Sequence, residues 1–313
     1  MNLATRSETP AALTVGITCY NAADTIVRAI SSALAQNWPN LEILIVDDCS
    51  DDGSLALIQE CAAADSRVRV ITHKDNTGVA GARKTILEHS TGVFLAYFDD
   101  DDESDPDRLR LQLTRILDYE VKTGAGLVFC YSDRAVLRVR ERVVDHIGFG
   151  MGRQTPEPHG SMVADYVLGV GSREGYSWGL LGSCTMMARR EAYLKVGSFD
   201  AAFRRCEELD LAIRAAQMGA HFIAVDQPLV TQYKTQSPDK SGMKPLHYAL
   251  MLRDKHREYL ARKGLYHASR MFARSNFWSS KKDKLKSRFY RALGYAVAPQ
   301  LIPGYLKRRS AKG

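Results

Sequence analysis

The sequence predicts an α/β protein built on a doubly wound sheet, with a helical extension at the C-terminal end. Three observations carry this reading. Short runs of β-formers alternate with helix-period stretches over residues 13–131, the connections between them are short, and two of the apolar runs stop abruptly at aspartates. Alternation of this kind implies parallel pairing through right-handed crossovers. At 313 residues, 45% of them hydrophobic, the chain suits one large α/β domain or one and a half and has ample material for a core.

Residues 13–18 (Leu-Thr-Val-Gly-Ile-Thr) read as the first strand, and residues 23–34 as the helix after it. Trp38-Pro39-Asn40 turns the chain into the apolar run 41–46, which ends at Asp47 and Asp48. Asp51-Asp52-Gly53-Ser54 supplies turn and cap signals for a helix to residue 64; residues 68–71 form a third strand, and Asn76-Thr77-Gly78 opens a helix through residue 89. Gly92 breaks that helix, and Gly-Val-Phe-Leu-Ala-Tyr-Phe leads to Asp99, Asp100, Asp101 and Asp102. A helix over 108–122 and a buried strand over 127–131 follow. Residues 132–180 first alternate basic and apolar positions, then turn rich in Gly and Pro, predicting irregular strands and a mobile loop near 148–160. A helix over 191–196, another over 204–218 capped by Gly219, and strands over 221–225 and 229–234 close the fold. The chain divides into an arm (1–12), two halves (13–132 and 133–245) and a helical, basic, aromatic tail (246–313).

Six cysteines are scattered without metal-type spacing, several inside apolar runs, which predicts reduced thiols and a cytoplasmic location. No cleavage-site pattern and no run of 18 apolar residues is present, so the expectation is a chain neither secreted nor membrane-spanning. The net charge of +7 belongs to the tail, because residues 281–313 hold ten Lys/Arg against Asp283 alone. The body carries no basic footprint of the kind nucleic acid requires.

The acidic strand ends carry the functional signal. Open α/β sheets bind ligands at the C-terminal ends of their strands. Two carboxylates about 4 Å apart repel by roughly 4 kcal/mol at an effective dielectric of about 20, so four in series require a cation or full solvation. Mg²⁺ or Mn²⁺ would suit, since such ions take one or two carboxylates and complete their shell with phosphates and water. Asp99 and Asp101, two apart, can reach one ion from a non-extended loop. Alone, the run would read as a solvated turn capping the helix near Pro106.

In order along the chain, the motifs resemble those of the family 2 glycosyltransferases. They are Thr18-Cys19-Tyr20-Asn21; Ile45-Val46-Asp47-Asp48-Cys49-Ser50-Asp51-Asp52-Gly53; Asn76-Thr77-Gly78 with Gly81-Ala82-Arg83; Phe98 and the four aspartates with Pro106 and Leu109; and Glu207-Glu208-Leu209-Asp210-Leu211 with Arg214. The resemblance covers residues 13–235 and implies a GT-A fold, a Rossmann-like mixed sheet flanked by helices. It implies a nucleotide-sugar donor, a UDP-sugar foremost, held by the first half, and an acceptor held by the second. Thr18, Tyr20 and Asn21 would line the donor site. Asp47 or Asp48 would accept a hydrogen bond from the base or ribose, and uracil N3–H is implied for one of them. Asp101, with Asp99, would hold the metal; Asp99 or Asp100 could also reach a ribose hydroxyl. Arg83 would face the donor sugar or phosphate. Glu208 matches the general base, which removes the acceptor proton as that oxygen attacks the anomeric carbon and inverts it. Burial near other carboxylates is expected to raise the pKa of Glu208.

Several positions depart from the family pattern. Lys84 stands where Asn is common, Ile86 where Gly is usual, and Gln236 where many relatives carry a metal- or diphosphate-reaching histidine. The third ligand is therefore open, with His247 a remote candidate, and no zinc pair is present. A nicotinamide-dependent Rossmann enzyme is excluded by the missing glycine-rich turn after the first strand. A sugar-phosphate nucleotidyltransferase would carry a Gly-rich, Arg-containing signature there. The alternatives are a catalytically inactive nucleotide-binding module of the same fold or a sugar-phosphate nucleotidyltransferase. With neither membrane spans nor Gln-x-x-Arg-Trp, the chain is expected to transfer one sugar per encounter. The basic, aromatic tail predicts either a helical lid or contact with an anionic bilayer, and so a lipid-linked saccharide acceptor at the inner face of the plasma membrane.

Overall fold

The structure, a computed structural model, describes residues 10–138, 143–233 and 241–302. Expectations that touch the arm before residue 10, residues 139–142, Lys234, Gln236, and the tail residues Pro303, Tyr305 and Leu306 lie outside the described residues.

The first half is built as expected from alternating elements: β1 (Leu13–Cys19), α1 (Ile26–Leu34), β2 (Leu41–Asp47), α2 (Ser54–Ala64), β3 (Val68–Thr72), α3 (Gly78–His89) and β4 (Phe94–Asp99). The strands run parallel in the order β3-β2-β1-β4. Their apolar runs are nearly continuous because helices cover both faces. Side chains alternate between two cores accordingly. Ile43, Ile45, Phe94, Ala96 and Phe98 enter one core, while Leu44, Val46, Leu95 and Tyr97 enter the other.

Beyond β4 the sheet becomes mixed, so the all-parallel winding holds only for the first half. The chain continues through β5 (Glu103–Ser104), α4 (Arg108–Thr123), β6 (Val128–Arg138), β7 (Val143–Gly148), α5 (Ser161–Val167), β8 (Met187–Arg189), α6 (Arg190–Val196), α7 (Glu207–Gln217) and β9 (His221–Tyr233). The spatial order runs on as β4-β8-β6-β9-β5, with β7 on β6. β8 is antiparallel to both β4 and β6, whereas β6 and β9 are parallel. A parallel neighbour needs a crossover helix. Residues 168–186 supply none, so the chain enters β8 beside Ala96, near the strand tips, and runs back.

The expected mobile loop at 148–160 is instead packed. Gly150 N donates to Asp133 Oδ1 at 2.6 Å, Met151 is fully buried, and Arg115 pairs with Glu157. The two strands expected over 221–234 form one strand with register shifts opposite Ser132, Asp133 and Arg134. The helix expected from residue 204 begins at Glu207, because Cys206 sits at φ 66° in the left-handed region.

The tail folds as α8 (Lys244–Lys255), α9 (Arg257–Arg262), α10 (Tyr266–Ser280) and α11 (Lys284–Val297). Leu252, Leu260, Ala268 and Phe272 join the core beneath α7. Asp210, fully buried, ties α7 to this extension by accepting from Lys255 Nζ at 2.9 Å and pairing with His256 Nε2 at 2.9 Å. Up to residue 302 the tail is thus packed on the body. No helix among the described residues is long and apolar enough to cross a membrane.

Candidate active site

Parallel register brings the C-terminal ends of β1, β2 and β4 side by side. Thr18 stands between Val46 and Asp99, and Cys19 opposite Asp47. The loops that leave these strands are knitted together. Tyr20 N donates to Asp100 Oδ2 at 3.1 Å, Asn21 N to Ser50 Oγ at 3.0 Å, and Asp51 N to Asn21 Oδ1 at 3.0 Å. Asn21 adopts φ 50°, a conformation that asparagine tolerates better than most residues. Thr18, Tyr20, Asn21, Asp47, Asp99 and Asp100 are therefore neighbours on one sheet edge.

Asp47 and Asp48 differ in what their carboxylates do. Asp48 is consumed by the start of α3: Oδ1 accepts from Thr77 N at 2.9 Å and Thr77 Oγ1 at 2.8 Å, and Oδ2 accepts from Gly78 N at 2.7 Å. His73 Nδ1 lies 2.7 Å from Oδ1. This is a carboxylate capping the positive end of a helix. Asp47 is also fully buried, yet only its Oδ2 is engaged, by Ser50 N at 3.2 Å. Its Oδ1 is buried without a partner among the described residues. A buried acceptor left open at a strand tip is costly unless a ligand completes it.

Arg83 is paired with two carboxylates. Its buried guanidinium bridges the two halves of the chain, with Nη2 3.2 Å from Asp99 Oδ1 and Nη1 2.5 Å from Glu207 Oε1, above the Phe199 ring. Burial opposes its charge, but Glu207, Asp99 and Glu208 outweigh that and hold it cationic. The departures near Arg83 lie away from this edge. Ile86 is fully buried, packed where Gly16 of β1 has no side chain; a Cβ there would sit 2.4 Å from Ile86 Cγ2. Lys84 is exposed and pairs loosely with Glu88.

Glu208 lies beside Glu207 at the first turn of α7. Burial, and then the Glu207 carboxylate, push its pKa up to about 8. Along α7, Arg214 pairs with Asp210 at 2.9 Å, while Glu207 pairs with Arg83.

Among the described residues, the group able to hold a metal is Asp99, Asp102 and Cys184, whose ligand atoms lie within 4.8 Å of one another. Asp101 is not a member; its carbonyl accepts from Arg28 Nη2 at 2.6 Å. Asp102 is turned inward, accepting from Tyr233 N at 3.1 Å. Burial, then Asp99 and Asp101, raise Asp102 to about 8; burial, then Asp101, raise Asp100 to about 7. Carboxylates accumulated in this way, only partly offset by Arg83 and Arg134, fit a hard cation. Cys184 does not, because burial and then Asp99 hold its thiol protonated, with the pKa at about 12. Exposed His247 is not in this group. Arg134, which sequence reasoning passed over, donates from Nη1 to Cys184 Sγ at 3.3 Å and brings positive charge near Asp99 and Asp102. Its place in an alternating basic and apolar run predicts only an irregular strand.

Comparison with known proteins bears on the family and the fold. A relative in Erwinia amylovora, the amylovoran biosynthesis glycosyltransferase AmsB, is 25% identical over 261 residues, 80% of each chain. The succinoglycan biosynthesis protein ExoO of Rhizobium meliloti is 46% identical over 103 residues, 33% of this chain and 29% of that one. The Escherichia coli enzyme WfgD, a UDP-Glc:alpha-D-GlcNAc-diphosphoundecaprenol beta-1,3-glucosyltransferase, is 39% identical over 98 residues, 31% of this chain and 38% of that one. The chain thus spans only about a third of the length of the last two. The crystal structure of S. aureus TarS 1-349 in complex with UDP-GlcNAc superposes with a TM-score of 0.62 at 16% identity, over 93% of this chain and 82% of that one, which establishes the same GT-A fold. The model of the family described as glycosyl transferase family 2 matches residues 14–174, about half of the chain, and the protein therefore belongs to that family.

Proposed function

We propose that the chain is an inverting, divalent-metal-dependent glycosyltransferase that moves one sugar from a UDP-sugar to a hydroxyl of a lipid-linked saccharide, in assembly of an exopolysaccharide, O-antigen or capsule at the cytoplasmic face of the membrane. The observation that carries it is the Arg83 bridge, which sets Glu207 and Glu208 of the second half beside the aspartate cluster of the first. The relatives named for amylovoran and succinoglycan support a polysaccharide setting, and WfgD, named for a diphosphoundecaprenol acceptor, supports the lipid carrier. The UDP-GlcNAc bound to TarS supports the donor class.

In this reading the base pairs with the open Oδ1 of Asp47, and Thr18, Tyr20 and Asn21 line the nucleotide. Asp99, which lies in the metal-capable group, would hold Mn²⁺ or Mg²⁺ together with Asp101, and Asp100 or Asp99 would reach the ribose. When bound, the cation neutralises charge on the leaving diphosphate. Glu208 takes the proton of the acceptor hydroxyl. The acceptor oxygen then forms the new bond to the anomeric carbon as the bond to the β-phosphate oxygen breaks, and the nucleoside diphosphate departs. Arg83 would orient both Asp99 and Glu207 through its two ion pairs.

Calorimetric titration with UDP, with and without Mn²⁺, followed by nucleotide release from a panel of sugar nucleotides, tests the reading. Metal-linked UDP binding and release from one donor are expected. Absence of UDP binding would overturn it.

A further inference from the structure

The helix α11 carries an apolar face that nothing among the described residues covers. Leu285, Phe289, Leu293 and Val297 recur every four residues along α11 and are 81%, 58%, 37% and 52% exposed. The opposite side of α11 is committed to the protein. Ser287 O accepts from Ser275 Oγ at 2.8 Å, and Gly294 lies against Phe272, where a Cβ would come within 2.5 Å of the ring. The helix is therefore fixed in rotation, and its apolar row is held outward by design of the packing rather than by fraying. Isolated exposed apolar residues are ordinary, but a row in register along one helix marks a contact surface.

The charges beside this row indicate its occupant. On the helical wheel Lys284 and Arg288 border it on one side and Lys286 on the other, with Lys281 and Lys282 at the helix entry. Asp283, the single acid of residues 281–313, is the N-cap, accepting from Lys286 N at 3.0 Å and pairing with Lys286 Nζ at 3.2 Å. Lys307, Arg308, Arg309 and Lys312 follow in the sequence. A second copy of this chain would bring equal positive charge against itself. Anionic lipid headgroups satisfy both features together, with apolar side chains entering the acyl boundary and Lys/Arg at the headgroup level.

We infer that the outward face of α11, centred on Leu285 and Phe289 and bordered by Lys284 and Arg288, is the surface by which this protein lies on an anionic lipid bilayer. It deepens the peripheral-contact part of the reading above and does not depend on the transfer chemistry.

Flotation of the full chain with vesicles of phosphatidylcholine alone and of phosphatidylcholine with phosphatidylglycerol tests it. Binding is expected on the anionic vesicles and should weaken as salt is raised. Leu285→Ser/Phe289→Ser and, separately, Lys284→Gln/Arg288→Gln should each reduce vesicle partitioning roughly tenfold, while Val121→Ser, an exposed apolar change on α4, should leave it unchanged. UDP titration of the same variants should be unaltered, which separates failure of this surface from failure of the transferase reading. Equal flotation of parent and α11 variants would overturn the inference. So would concentration-dependent self-association that the Leu285/Phe289 variant abolishes in a parent that does not float.

Discussion

The Arg83 guanidinium lies 2.5 Å from the Glu207 carboxylate, and both groups are buried. The same side chain reaches Asp99, so one cation serves carboxylates from two ends of the chain. Removing one partner of a buried pair strands the other charge, at a cost of about 3–5 kcal/mol. Arg83→Met is therefore expected to lower the unfolding free energy by about that amount in a urea titration and to abolish donor turnover. Arg83→Lys, which keeps the charge but not the fork, should recover stability in part and activity much less.

Glu208 is protonated below about pH 8 in the free protein, because burial and Glu207 disfavour its charge. A general base must be ionised to act, so kcat/KM should rise with pH and level off above about 8. Glu208→Gln should remove this limb and lower kcat by roughly 10²–10⁴-fold while leaving UDP affinity intact. A pH–rate profile of both proteins checks this, and near-normal turnover by the Gln variant would reassign the base.

Asp47 and Asp48 should separate cleanly on substitution. Asp48→Asn turns an amide N–H₂ or a poorer acceptor toward the donors at the start of α3, and a loss of about 1–3 kcal/mol in urea unfolding is expected. Asp47→Asn leaves the fold nearly unchanged and should weaken UDP binding roughly tenfold, measured by calorimetry. The reverse pattern would move the base contact to Asp48.

Asp210 is expected to make the tail docking acid-sensitive. Burial works to raise its pKa, but His256, Arg214 and Lys255 prevail and hold it at about 2. A depressed carboxylate contributes stability that is fully present above its ordinary value near 3.8 and is lost as pH falls through about 2. The linked contribution is on the order of 2 kcal/mol. Asp210→Asn should flatten the acid limb of the stability curve and lower stability at neutral pH, read by thermal melts from neutral to strongly acid buffer.

The sequence by itself determined the alternating elements of the first half, the aspartates at the ends of β2 and β4, and the family. These are local signals: β-branched runs, period-3.6 stretches and turn residues act within a few positions, and acidic residues at a strand end are visible as neighbours in the chain. Tertiary structure alone decided which carboxylate does what. Asp48 and Asp47 are adjacent in sequence, yet one is saturated by the start of α3 and the other keeps a lone pair open, because strand alternation sends their side chains into different surroundings. The pairing of Arg83 with Glu207 becomes visible only when the fold brings the two together. Asp102 and Cys184 meet only because β8 inserts antiparallel between β4 and β6, and Ile86 reads as a departure until Gly16 is seen beneath it. Composition and spacing along the chain cannot encode such pairings, since they depend on which distant segments share a face of the sheet.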